Sequence, residues 1–135
     1  MERFDKQLIL ILLLGLITRV FAIHFFGDNL LENEWGILVK NLENKNIFGF
    51  RSFDGEVLPT IYMPPLYAYF LYFLKIFSPI NETYYVNFVL YVQLLLSLIS
   101  IIIFNKLLKD FFSDFIRKIG IITFTFFPLN IYSIV

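Results

Sequence analysis

The chain contains no cysteine. Disulfides, thiolate nucleophiles and cysteine-held metals are therefore excluded. A single histidine, His24, rules out His-rich zinc sites. Charge is scarce: Asp, Glu, Lys and Arg make up 16% of the residues, where soluble domains carry about a quarter. Acids and bases balance at 11 each, so the net charge of zero gives no reason to expect a nucleic-acid partner. No Gly-rich phosphate loop, Ser-His-Asp set or run of metal ligands occurs. Internal repeats and low-complexity tracts are also missing.

What the chain has is apolar sequence in long blocks. Of its 135 residues 59% are hydrophobic, with 18 Phe and 8 Tyr. Residues 8–26, 86–104 and 119–135 are almost free of charge. A helix needs about 20 apolar residues to cross a hydrocarbon core, whereas a helix of a soluble core would confine its apolar residues to one face. The fold class expected is an all-α integral membrane protein. The first block lacks a small-residue cleavage site, since His24-Phe25-Phe26 is bulky, so it reads as a retained span rather than a signal peptide.

Between the first two blocks lies a polar stretch, 27–60, holding Asp28, Glu32, Glu34, Glu43, Asp54 and Glu56 against Lys40, Lys45 and Arg51. An apolar, aromatic segment follows at 64–77, short for a crossing. Lys and Arg favour the cytosolic side of spans, which tests whether that segment crosses. If it lies in the interface, six bases fall inside (Arg3, Lys6, Lys106, Lys109, Arg117, Lys118) and four outside; if it crosses, the excess reverses. The sequence therefore predicts about three crossings, with the N-terminus cytoplasmic, a basic loop at 105–118, and residues 27–85 on the periplasmic or extracellular side of an inner or plasma membrane. Four crossings are the alternative.

Leu31, Trp35, Leu38, Val39 and Leu42 recur at spacings of three and four, which predicts a helix over about 34–44 with one apolar stripe. Asn33 suits its N-cap, and Glu34 falls in the first turn, where the helix dipole favours a carboxylate. Such a helix is expected to lie on the membrane with Trp35 at headgroup depth. Asp54-Gly55 marks a turn. Pro64-Pro65 suits a helix start over 64–77, where a missing N–H is harmless, and Tyr67, Tyr69 and Tyr72 suit the interface. In the second span Gln93, Ser97 and Ser100 share a face, which predicts packing against another helix and suggests helices beyond this chain. Pro128 predicts a kink in the last block. No polar tail follows Val135, so the chain is expected to be an N-terminal fragment.

Two basic residues stand out. Arg19 lies inside the first span, where a charge is expensive and functional by default; it reads either as snorkelling to lipid phosphate or as contacting a bound phosphate. Arg51 reads as a solvated loop charge or a phosphate ligand. His24 reads as an interfacial side chain. Asn81-Glu82-Thr83 fits a glycosylation sequon.

The order of these features is more specific than their composition. A first span leads to Asn33-Glu34-Trp35-Gly36-Ile37-Leu38, then Phe48-Gly49-Phe50-Arg51-Ser52-Phe53, then Pro59-Thr60-Ile61-Tyr62-Met63-Pro64-Pro65-Leu66-Tyr67-Ala68-Tyr69. This resembles the N-terminal part of the GT-C membrane glycosyltransferases, nearest to bacterial relatives of the dolichyl-phosphate-mannose–protein mannosyltransferases and the aminoarabinose lipid A transferases. The resemblance implies sugar transfer from a polyprenyl-phosphate donor to a lipid, glycan or protein acceptor on the outer face. It implies that Glu34, with Glu32 and Asp28 as rivals, is the catalytic carboxylate, deprotonating the acceptor or orienting a divalent metal near the donor phosphate. It makes Arg19 and Arg51 candidates for phosphate contact, and Pro64, Pro65 and Tyr67 the motif that opens a second juxtamembrane helix. Trp35 after the carboxylate and Ala68 after Pro-Pro-Leu-Tyr depart from the family's usual residues. The resemblance also implies that later spans complete the donor cavity, so this chain alone would not turn over. A non-catalytic small membrane subunit of an envelope polysaccharide system is the alternative. A transporter fragment is a third reading, for which only the Gln93 stripe speaks.

Overall fold

The computed structural model describes residues 2–27, 31, 34–51, 55–60, 63–78 and 81–132, without the side chains of residues 2–5 and 51. They are mostly helical, in the order α1 (Glu2–Phe26), α2 (Glu34–Lys45), β1 (Gly49–Arg51), β2 (Val57–Pro59), α3 (Pro65–Phe77), α4 (Glu82–Phe111), α5 (Asp114–Phe126) and α6 (Pro128–Tyr132). The chain divides into two compact units: Met1–Asp28 with Leu90–Val135, and Asn29–Val89.

In the first unit, α1 has 25 residues and α4 has 30. At 1.5 Å per residue they extend about 37 and 45 Å, more than the ~30 Å of a hydrocarbon core. Among the described residues these two helices are long and apolar enough to cross a membrane. Much of their apolar surface is open: Ile9, Leu13, Ile17, Phe21 and Phe25 on α1 and Tyr91, Leu95, Ile99 and Ile103 on α4 are exposed. Their inner faces meet α5 in a core built on Ile11, Ile101 and Ile121, with Leu8, Leu98 and Phe124 around it.

The third expected crossing, 119–135, takes a different form. Helix α5 begins five residues earlier, at Asp114, and ends at Phe126, and α6 starts at Pro128. Thirteen residues in α5 span only about 20 Å. Proline has no N–H and clashes with the preceding turn, so the helix breaks there instead of bending. The basic loop expected at 105–118 also shrinks: α4 continues to Phe111, and only residues 112–113 separate it from α5. Asn105, Lys106, Lys109 and Asp110 are polar but none of them breaks a helix, and Ser113, in extended conformation, begins the next one.

In the second unit, α2 and α3 pack together, and the hairpin β1–β2 closes one end. The strands pair antiparallel, with Gly49 opposite Pro59, Phe50 opposite Leu58 and Arg51 opposite Val57. A side chain at Gly49 would collide with the Leu58 carbonyl, so the hairpin requires glycine there. Gly55 carries φ +90° in the connection, a conformation that glycine adopts without strain. Helix α2 ends in a left-handed cap: Asn46 has φ +55°, and the Ile47 N–H donates to the Asn41 carbonyl at 3.4 Å. Asn41 Nδ2 in turn donates to the Gly49 carbonyl at 2.7 Å, tying α2 to β1.

Candidate functional site

The apolar stripe of α2 faces inward. Leu38, Val39 and Leu42 are buried, and Leu38 and Leu42 form a core with Ala68 of α3 that Trp35, Phe48, Phe50, Met63 and Tyr72 surround. The stripe therefore packs on α3. Amphipathicity determines which side of a helix is apolar; it leaves the partner open. The exposed apolar face belongs to α3, where Leu66, Tyr69, Phe73, Ile76 and Phe77 all lie open, at spacings of three and four that make one stripe. The opposite side of α3 buries Ala68, Leu71 and Leu74.

Glu34 sits in the first turn of α2 with its carboxylate exposed. Its neighbour Trp35 meets Tyr67 edge to face, with ring centroids 4.8 Å apart, and Tyr67 stacks on Phe70 at 6.1 Å. Pro64 precedes α3 in extended conformation and Pro65 opens it. The Pro-Pro-Leu-Tyr segment thus starts α3 so that Tyr67 clasps the head of α2, and Glu34 is set beside that clasp. Tyr67→Ala is expected to uncover Trp35, the chain's single tryptophan, and to move its emission to the red. An edge-to-face pair of this kind contributes about 1 kcal/mol beyond its buried area. Unshifted emission would show that Trp35 is held from elsewhere.

The rival acids Asp28 and Glu32 and the expected cap Asn33 lie outside the described residues. The backbone of Arg51 ends β1. His24 is exposed on α1 and touches Phe25 edge to face. Asn81, the first residue of the sequon, caps α4: its Oδ1 accepts from the Thr83 N–H at 3.4 Å. Among the described residues no group of three or more His, Cys, Asp or Glu side chains gathers to hold a metal.

Arg19 is fully buried in the first unit, held by protein groups. Its Nε donates to Ser97 Oγ at 2.8 Å, and its Nη1 to the carbonyls of Gly15 at 3.1 Å and Thr125 at 3.2 Å. Gly15 makes this approach possible, because a Cβ there would stand 2.8 Å from Thr125 Cγ2 and 3.3 Å from Arg19 Nη1. The polar face of α4 is used inside the chain in the same way. Ser97 Oγ accepts from Arg19, and Ser100 donates to the Ser97 carbonyl of its own helix at 2.7 Å.

One feature was not predicted from the sequence. A cavity of about 460 Å³ lies in the second unit, bounded by Gly36, Ile37 and Lys40 of α2, Lys75 of α3, and Glu82 and Tyr85 of α4. Lys75 Nζ pairs with Glu43 Oε2 at 2.6 Å and Lys40 Nζ with Glu82 Oε1 at 3.7 Å. Tyr85 donates its hydroxyl to the Leu71 carbonyl at 2.9 Å and holds the start of α4 against α3. The only available signal was Lys75, a lone charge in an otherwise apolar helix.

Compared with known proteins, the chain matches no family model, no curated protein and no solved structure.

Proposed function

We propose that this chain is part of a membrane glycosyltransferase that moves a sugar from a polyprenyl-phosphate donor to an acceptor hydroxyl, with Glu34 as the general base. The reading is carried by one arrangement: an exposed carboxylate in the first turn of a helix that Trp35 and Tyr67 clasp to the Pro-Pro-started helix α3. In the proposed step Glu34 accepts the acceptor's hydroxyl proton. The freed oxygen bonds to the sugar's anomeric carbon, and the bond from that carbon to the phosphate oxygen breaks, its electron pair leaving with the polyprenyl phosphate. A base so placed needs only one carboxylate within hydrogen-bond reach of the hydroxyl. The direct test is sugar transfer by a Glu34→Gln variant of the full-length enzyme of which this chain is part. A non-catalytic membrane subunit would lose nothing from that change.

In this reading α1 and α4 cross the bilayer, and α3 lies in the outer interface, its open stripe of Leu66, Tyr69, Phe73, Ile76 and Phe77 dipping among the lipids. At 13 residues, about 20 Å, α3 is short for a crossing, and the distribution of Lys and Arg supports the same topology. The absence of native cysteine makes the test clean. Single cysteines at Asn46 and Asn81, on either side of α3, are expected to react with an impermeant maleimide from the same face of sealed vesicles, and one at Lys109 only from the opposite face. Labelling of the Asn46 and Asn81 positions from opposite faces would make α3 a crossing and overturn the topology.

A further inference from the structure

The cavity between α2, α3 and the start of α4 has chemistry that the glycosyltransferase reading does not use. Its walls carry both signs of charge. Lys40 and Lys75 supply cations and Glu82 a carboxylate, while Ile37 and Val86 supply apolar surface. The two ion pairs are not alike. Lys75 and Glu43 form a short hydrogen-bonded contact, whereas Lys40 and Glu82 stand 3.7 Å apart with side chains 65% and 70% exposed. An exposed pair at that distance contributes at most about 1 kcal/mol, so a ligand can separate it with little loss.

The ligand's charge follows from what that separation leaves behind. An anion placed between the partners would satisfy Lys40 but face the Glu82 carboxylate. A cation would satisfy Glu82 but face two ammonium groups. A neutral ligand would leave both charges of the parted pair without a charged partner. A zwitterion satisfies both: its negative group takes N–H donors from Lys40 and from Lys75, whose ammonium has donors beyond the one given to Glu43, and its positive group donates to Glu82. The apolar wall beside these groups suits a hydrocarbon backbone, and a volume of about 460 Å³ lies in the range of small-ligand sites.

We infer that this cavity binds a zwitterionic phosphodiester bearing a primary ammonium, the headgroup of an amine phospholipid, with phosphate at Lys40 and Lys75 and ammonium at Glu82.

The test uses the full 135-residue chain in detergent micelles, isotopically labelled, titrated with water-soluble glycerophosphoethanolamine and read at the amides of Gly36, Ile37 and Val86. The soluble probe keeps the result independent of both the membrane topology and the catalytic role of Glu34. Saturable shifts are expected, with inorganic phosphate and ethanolamine each binding about tenfold or more weakly, as losing one charge-assisted hydrogen bond implies. Glu82→Gln is expected to abolish the advantage over phosphate and Lys40→Met to weaken binding about tenfold, while Lys40→Arg retains it. In bilayer nanodiscs the soluble probe is expected to be excluded when amine phospholipid is present and to bind when the lipid is phosphatidylglycerol alone. Inorganic phosphate binding as tightly as the diester, absence of a saturable shift, or equal probe binding in both nanodiscs would each overturn the assignment.

Discussion

Replacing Glu34 with Gln in the full-length enzyme is expected to lower sugar transfer from a polyprenyl-phosphate donor by about a hundredfold or more, the range over which a positioned general base acts. The substitution keeps size and shape and removes the ability to hold a proton. Because the side chain is exposed at the first turn of α2, its structural contribution is limited to a favourable dipole interaction of about 0.3–1 kcal/mol. Folded yield and far-UV circular dichroism are therefore expected to stay at the wild-type level while turnover falls. Glu56→Gln is the matched control, an exposed carboxylate beside β2, and is expected to leave the rate unchanged. Asp28→Asn and Glu32→Gln complete the set. If either abolishes transfer while Glu34→Gln does not, the catalytic role moves to that residue. If all three retain activity, the base is not in this segment, and the chain's part in catalysis falls.

Arg19→Ala is expected to destabilise the unit formed by α1, α4 and α5 by about 2–5 kcal/mol, from the void left in the packing and the polar groups left unmet. The decisive group is a backbone carbonyl. Pro128 has no N–H, so the break after Phe126 deprives the end of α5 of helical donors. Asn130 Nδ2 supplies one for the Phe124 carbonyl at 2.9 Å, and Arg19 Nη1 supplies another for Thr125 at 3.2 Å. Buried away from water, an unmet carbonyl costs about 1–3 kcal/mol. Arg19→Met fills most of the volume and removes a buried charge, so it is expected to fall between Ala and wild type. Adding Pro128→Ala, which returns an N–H to the break, is expected to recover part of the loss in Arg19→Met. Denaturant titration in a fixed micelle composition measures all three. An Arg19→Ala variant within about 0.5 kcal/mol of wild type would show that Arg19 is not the bond that closes these helices.

These two residues mark where sequence reasoning reached and where it stopped. The position of Glu34 at the head of α2 was legible because its signal is local: an acid opening an apolar-periodic segment, followed at a distance by two prolines that suit the first turn of a helix. The hairpin was half legible, since Asp54-Gly55 announced the turn but three-residue strands are too short for alternation to register. Arg19 was legible as a charge in an apolar run and illegible in its direction, because its three acceptors lie on three helices and two of them are backbone carbonyls that no side-chain pattern reports.

The sequence by itself determined that this protein is helical, that the apolar blocks at 8–26 and 86–104 form helices long enough to cross a membrane, and that an acidic, Pro-Pro-ended segment separates them, while the third crossing it predicted at 119–135 is two shorter helices, α5 and α6. Those properties depend on apolar run length, helical period and the missing N–H of proline, all of which act over one or two turns. Only the tertiary structure decided that the stripe of α2 is buried by α3, that the open apolar face belongs to α3, that Arg19 turns inward to hold α5, and that Lys40, Lys75 and Glu82 share a cavity. Each of these depends on which faces meet across dozens of residues. Several apolar faces of similar area compete for partners in this chain, and close packing, with the need of every buried polar group for a hydrogen bond, selects among them.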